Sequence, residues 1–125
     1  MNYRRHLAIV TLLLLGTMRA FAAADITGTW KASFDTQIGT QNYTYEFVVK
    51  DTTLTGKLQS DMGGAGEIKQ GKVEGDKVSF VETFKFEGND IQITYTGRIT
   101  SNDEIKFTRQ VAEFATEELV AKRVK

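Results

Sequence analysis

The sequence feature that most constrains the fold is an alternation of apolar and polar residues that begins at Ile26. From Ile26 to Phe34 every second residue is apolar or glycine, and the residues between them are polar. Because successive side chains of a β-strand point to opposite faces, this pattern predicts a strand with one buried face. Trp30 is the only tryptophan, and Gly28, on the same face, leaves space for its indole. We therefore expect Gly28 and Trp30 to be structural residues at the end of a barrel or sandwich.

The same alternation recurs along the chain and predicts an all-β fold. Turns rich in Gly, Asn and Asp separate the apolar-faced segments, and the sequence contains no proline. Eight strands are predicted, over residues 27–35, 43–50, 53–60, 67–74, 77–87, 91–100, 104–111 and 116–124. The glycine-rich stretch 60–66 is predicted to be a mobile loop. Sequential strands with short turns favour an eight-stranded up-and-down antiparallel barrel, because closure removes exposed sheet edges. A β-sandwich is the alternative.

The N-terminal residues have the layout of a secretory signal peptide. Arg4 and Arg5 precede an apolar run over residues 7–15, and small residues follow just before Asp25. The run is shorter than the stretch of about 20 apolar residues that a transmembrane helix needs. We predict a signal peptide over residues 1–24, a single β-domain over residues 25–125, and a bacterial protein that is exported to the periplasm or beyond. No association with a membrane is expected after cleavage.

The composition of residues 25–125 excludes several classes of function. Three of the 16 basic residues precede residue 25, which leaves 13 against 16 acidic residues, a formal charge of −3. This balance argues against a nucleic-acid partner. The only histidine, His6, lies in the predicted signal peptide, and the chain has no cysteine. Zinc sites and histidine-dependent nucleophilic catalysis are therefore not expected, and neither a metal nor a cofactor is predicted.

Two charged residues fall on inward faces that are otherwise apolar. The alternation places Glu82 and Arg109 inside the barrel, and burying one charge alone would be unfavourable, so we expect them to pair. Tyrosine hydroxyls on the same faces would add to a polar floor for a small ligand. The residues predicted to bind such a ligand are Tyr43, Tyr45, Glu82, Tyr95 and Arg109. The alternative is a closed structural network, since small barrels are usually filled by side chains.

Two stretches resemble the calycin-type barrels. Residues 26–30 read ITGTW and residues 54–56 read LTG, which resembles the opening of the avidin and streptavidin family. Gly28-x-Trp30 is also similar to the lipocalin signature. That resemblance implies a ligand-binding barrel in which a late basic residue, here Arg123 or Arg109, packs over the tryptophan. Biotin binding is not expected, because Trp30 is alone and Ala32 stands where avidins carry a polar ligand contact.

The strand layout is also similar to small exported bacterial β-domains found beside sugar hydrolases. The predicted function is an exported binding or accessory protein for a small apolar or sugar-like ligand. The alternative is a xylanase-type glycoside hydrolase, or a domain associated with one, acting on plant polysaccharide. Glycoside hydrolysis normally needs two carboxylates that face the scissile bond. Glu82 is the only catalytic candidate, because alternation directs Glu46 and Glu87 outward.

Overall fold

The computed structural model describes residues 25–125, which form one antiparallel barrel without a helix. The predicted signal peptide lies outside the described residues. Residues 25–125 contain no helix with the length and hydropathy needed to span a bilayer. The strands are β1 (Gly28–Thr36), β2 (Gly39–Lys50), β3 (Thr53–Ser60), β4 (Gly64–Glu67), β5 (Lys69–Glu74), β6 (Lys77–Phe86), β7 (Asn89–Ser101), β8 (Glu104–Val111) and β9 (Ala115–Arg123).

The sheet closes on itself in chain order. Each strand pairs with the next one along the chain, except β4 with β5, and β9 returns to pair with β1 at Trp30↔Arg123 and Lys31↔Lys122. The short β4 and the following β5 lie end to end along β3, so the nine segments fill eight positions. The predicted all-β, eight-stranded up-and-down barrel is confirmed, and the sandwich alternative is wrong.

The glycine-rich stretch 60–66 is not a loop throughout, and this part of the sequence prediction is wrong. Gly64–Glu67 forms β4 and pairs with β3 from Lys57 to Ser60. Backbone pairing needs only N–H and C=O groups, which glycine supplies like any other residue. The turn itself packs closely on the barrel, since a Cβ on Gly63 would lie 2.0 Å from the ring of Phe84.

Because the strands alternate in direction, the turns gather at two ends of the barrel. We call one end the mouth; it is formed by the turns at residues 37–38, 61–63, 87–88 and 112–114. The other end, the base, contains the turns at residues 51–52, 75–76 and 102–103. The chain also enters β1 and leaves β9 at the base. Each side chain on an inward face therefore has a definite depth between mouth and base.

The interior towards the base is filled by aromatic side chains. Phe80 stacks on Tyr95 with ring centroids 4.3 Å apart, and Phe107 meets Phe80 edge-on at 5.6 Å. Phe47 and Trp30 extend this packing to the base, and both are almost completely buried. Offset and edge-on ring contacts are the favourable aromatic geometries. The rings therefore pack against one another across the interior of the barrel.

The structure explains why a glycine precedes the tryptophan by two residues. Trp30 donates its Nε1–H to the carbonyl of Ile26 at 2.9 Å, and the guanidinium of Arg123 lies over the indole, 4.6 Å from the ring centroid. Gly28 has φ +143°, and a Cβ there would lie 2.9 Å from Arg123 Nη1. Because Gly28 has no side chain, the guanidinium of Arg123 can occupy this position over the indole. Arg123, rather than Arg109, is the basic residue over the tryptophan.

Truncating this tryptophan should destabilise the barrel strongly. We expect Trp30→Ala to lower the free energy of unfolding by about 3–5 kcal/mol, because it removes a buried aromatic side chain and leaves a cavity. Chemical denaturation measures the change. The control is Val48→Ala on the outer face of β2, where the side chain is 52% exposed; it should change stability by less than about 0.5 kcal/mol. Similar stability of the two variants would contradict the structural role assigned to the buried Trp30.

Candidate functional site

The five residues predicted to bind a ligand lie together in one buried cluster. Tyr43 and Tyr45 come from β2, Glu82 from β6, Tyr95 from β7 and Arg109 from β8. Each is at most 2% exposed. Tyr95 and Arg109 are directly opposite each other in the β7–β8 register, which brings the arginine to the depth of the tyrosine hydroxyls. The alternation thus correctly placed all five side chains inside the barrel, and their role in binding stays a prediction.

Glu82 accepts a hydrogen bond on each of its carboxylate oxygens. The hydroxyl of Tyr43 donates to Oε2 at 2.7 Å, and the hydroxyl of Tyr95 donates to Oε1 at 2.9 Å. Arg109 Nη2 lies 3.5 Å from Oε1 and completes a buried ion pair. Both oxygens act only as acceptors, as they do in a carboxylate. The charge of Glu82 is therefore compensated from inside the barrel.

Arg109 is held by groups on three sides. Its Nε–H donates to Tyr95 at 2.9 Å, its Nη2–H donates to Tyr43 at 2.7 Å, and its Nη1–H donates to the carboxylate of Glu117. The guanidinium carbon lies 5.2 Å from the ring centroid of Phe34 and 5.1 Å from that of Tyr43. The two tyrosine hydroxyls each accept from Arg109 and donate to Glu82. Hydrogen bonds of 2.7–2.9 Å through these hydroxyls therefore link Arg109 to Glu82. The direct contact between the guanidinium and the carboxylate is longer, at 3.5 Å.

Burial changes the acid–base properties of the whole cluster. Burial first, and then the charge of Glu82, raise the pKa of Tyr43. Burial likewise raises the pKa of Tyr45 and of Tyr95 well above the usual tyrosine value. Burial alone would lower the pKa of Arg109, but its surroundings, Tyr95 first, raise it overall. Among residues 25–125 no buried side-chain nitrogen or oxygen lacks a hydrogen-bond partner, so the cluster satisfies its own polar groups.

The sequence interpretation did not assign Glu117 to this cluster. Glu117 lies directly opposite Arg109 in the β8–β9 register, and its side chain is 9% exposed. Counting outward from the turn at residues 112–114 would have paired these two positions. The buried Gln41 was also missed, although it continues the inward face of Tyr43 and Tyr45. Its amide accepts a hydrogen bond from Ser60 at 3.0 Å.

A cavity of about 600 Å³ opens at the mouth, above the buried cluster. We call it the cup. Its floor carries the polar side chains of Gln41, Arg109 and Glu117. Its walls are largely apolar, and the main wall residues are Ile38, Phe84, Phe86, Ile91, Val111 and Phe114. Of the five residues predicted to bind a ligand, only Arg109 lines the cup; the other four lie beneath it.

The turns at the mouth differ from those at the base. Each mouth turn carries a large apolar side chain at its tip or beside it, and these side chains are markedly exposed: Ile38 (41%), Met62 (48%), Phe86 (36%) and Phe114 (69%). The three base turns have the sequences Asp-Thr, Gly-Asp and Asn-Asp. A patch of exposed apolar residues often marks an interaction site, whereas isolated ones need no explanation. The mouth turns therefore carry exposed apolar side chains that the base turns lack.

The described residues show no metal centre. Within residues 25–125 no group of three or more His, Cys, Asp or Glu side chains is placed to hold a metal ion. The chemistry that this site offers is a set of oriented hydrogen-bonding and charged groups beneath an apolar opening.

The comparisons with known proteins bear on the fold alone. No family model and no curated protein matches the chain. Among solved structures, a redesigned β-barrel is similar, with a TM-score of 0.57 and 19% sequence identity, covering 80% of this chain and 91% of the other. This similarity agrees with the barrel described above.

The coupling between Glu82 and Arg109 can be measured with a double-mutant cycle. Glu82→Leu and Arg109→Met should each lower the free energy of unfolding by about 3–5 kcal/mol, because each leaves a buried charge without its partner. The double variant should lose clearly less than the sum of the two. Chemical denaturation gives the four values. In the matched cycle Glu118→Leu with Arg109→Met, where Glu118 points outward, effects should add to within about 0.5 kcal/mol. Additivity in the first cycle would contradict the contact.

The tyrosines should ionise only when the barrel unfolds. A group whose pKa is raised by folding contributes stability below its unfolded pKa, and this stability is lost as the pH rises above that value. For Tyr43, Tyr45 and Tyr95 the loss should begin above about pH 10, the ordinary tyrosine value. Tyr3, the fourth tyrosine, lies in the predicted signal peptide and is absent from the cleaved protein, in which tyrosinate absorbance should rise together with the loss of the circular dichroism signal. Tyrosinate formation in a barrel that keeps its circular dichroism would contradict the described burial.

Proposed function

We propose that the protein is an exported binding protein that takes a small ligand into the cup at the mouth of the barrel. The observation that carries the proposal is the cup itself, a cavity of about 600 Å³ with apolar walls and a polar floor. Small-molecule sites are typically cavities of about 300–1,000 Å³ in which a few positioned polar groups orient the ligand within apolar walls. The cup has this size and this composition.

The floor of the cup is already ordered by contacts within the protein. Arg109 donates three hydrogen bonds, and Gln41 is held by Ser60 and by a 3.3 Å contact with Thr36. Groups that are fixed before binding lose little conformational freedom when a ligand arrives. The filled barrel beneath them keeps the ligand at the mouth. This arrangement supports reversible binding in a preformed site.

The sequence resemblances support the same class of function. The calycin-type barrels that the G-x-W opening resembles include lipocalins and avidins, which bind small ligands at the open end of a barrel. The arginine over Trp30 agrees with the lipocalin pattern. The signal-peptide pattern of residues 1–24 supports export, to the periplasm or beyond. We propose a small apolar or amphiphilic ligand, with a sugar-like headgroup as the alternative in the same cup.

Glycoside hydrolysis is less well supported by the same geometry. Glu82, the only catalytic candidate from the sequence, does not line the cup. The two carboxylates that do line it each contact a cation: Glu117 contacts Arg109, and Asp90 lies 3.7 Å from Lys85. Cleavage needs one carboxylic acid that holds a proton for the leaving group and a second carboxylate across the bond. The arrangement favours binding over hydrolysis.

Occupancy of the cup can be tested with Nile red, an uncharged apolar dye whose emission increases in apolar surroundings. We expect saturable binding to the protein. Ile91→Trp should weaken binding at least about tenfold, a loss of about 1.4 kcal/mol, because the larger side chain fills the cup. Fluorescence titration measures both affinities.

The matched control is Val48→Trp, which adds the same side chain to the outer face of β2. It should leave the dye affinity unchanged. If the wild type fails to bind the dye, or if both variants lose binding equally, the cup is not the site.

A further inference from the structure

We infer that the cup selects a cationic amphiphile, a molecule whose positively charged head lies against Glu117 while its apolar body packs between the rim side chains. This inference rests on the proposed function and adds the chemical class of the ligand. Two independent features of the described residues support it: the charge of the floor and the charge of the rim.

The floor has an excess of negative charge that is directed towards the cup. The buried cluster contains one guanidinium, Arg109, and two carboxylates, Glu82 and Glu117. Glu82 lies beneath the cup, where two tyrosine hydroxyls and Arg109 compensate it. Glu117 lines the cup, and among residues 25–125 Arg109 is its only charged partner. A cationic head can therefore share Glu117 with Arg109, whereas an anionic head would be repelled by the carboxylate of Glu117.

The rim has the same sign of charge. The four mouth turns, together with two strand residues on either side of each, carry five carboxylates and one ammonium group. These residues are Asp35, Asp61, Glu87, Asp90, Glu113 and Lys85. The corresponding residues at the base, including the chain ends 25–29 and 122–125, carry six carboxylates and five cationic groups. The net charge is thus −4 at the mouth and −1 at the base. An apolar-walled cleft with charge of one sign attracts a ligand of the opposite sign.

The apolar side chains determine the rest of the ligand. Phe86 and Phe114 are exposed at the rim, and both line the cup with Ile38. An alkyl or aryl body would bury these surfaces, and a cation can also approach the face of an aromatic ring favourably. A purely polar cation would leave the apolar walls exposed to water. The site therefore matches a molecule that combines one positive charge with an apolar body.

Three probes with chains of ten carbon atoms separate the possible headgroups. Decylammonium is cationic, decyl glucoside is neutral and sugar-like, and decanoate is anionic. Titration calorimetry at low ionic strength, below the concentration at which each probe forms micelles, measures their affinities. We expect decylammonium to bind at least about tenfold more tightly than decyl glucoside, and decanoate to bind most weakly. Added salt should reduce the differences, because it screens the charges at the mouth.

A pair of matched variants tests the role of Glu117. Glu117→Gln should reduce the preference for decylammonium over decyl glucoside about tenfold, since it removes the carboxylate from the floor. Glu118→Gln changes the net charge equally on the exposed face of the same strand, and should leave the preference unchanged. Circular dichroism establishes that both variants are folded, and the ranking of the three probes on the wild type needs no variant.

The outcomes distinguish this inference from the proposed function. Equal affinities, or a preference for decyl glucoside or decanoate, would overturn the cationic class and leave the binding function standing. Equal loss of preference in the two glutamine variants would also overturn it, because net charge alone would then explain the selectivity. If no probe binds and Nile red does not bind either, the proposed function fails as well.

Discussion

The interaction on which the rest of this barrel depends is the burial of Arg109. A guanidinium in a closed barrel is tolerated only when its charge and its N–H groups are matched, because an uncompensated buried charge is very unfavourable. Tyr43, Tyr95, Glu82 and Glu117 supply that match from four different strands. The register of several strands is thereby tied to one side chain. A slip of one residue in any of them would direct its partner group outward.

This cluster also divides the barrel into two parts with different roles. Towards the base, closely packed rings and the Trp30–Arg123 contact fill the interior. Towards the mouth, the ends of the strands and the adjoining turns surround the open cup. The apolar side chains at the mouth are correspondingly more exposed, Phe114 most of all.

Glu117 lies where the two parts meet, because it belongs to the buried cluster and also lines the cup. Its carboxylate pairs with Arg109 below and borders the cup above. In the proposed binding mode, a ligand head would contact a carboxylate that already has a partner, so it would add a contact without breaking the network. The proposed site thus links the choice of ligand to the electrostatics of the core.

The sequence by itself determined every strand except β4, because the two-residue period of a β-strand is a local property that alternation records directly. For the same reason it determined that Glu82 and Arg109 face inward. Only the tertiary structure decided that Gly64–Glu67 is a strand, that Glu117 joins Arg109, and that Arg123 covers Trp30. These facts depend on strand pairing and closure. The cup likewise forms only where strand ends from distant parts of the chain meet, which no single stretch of sequence specifies.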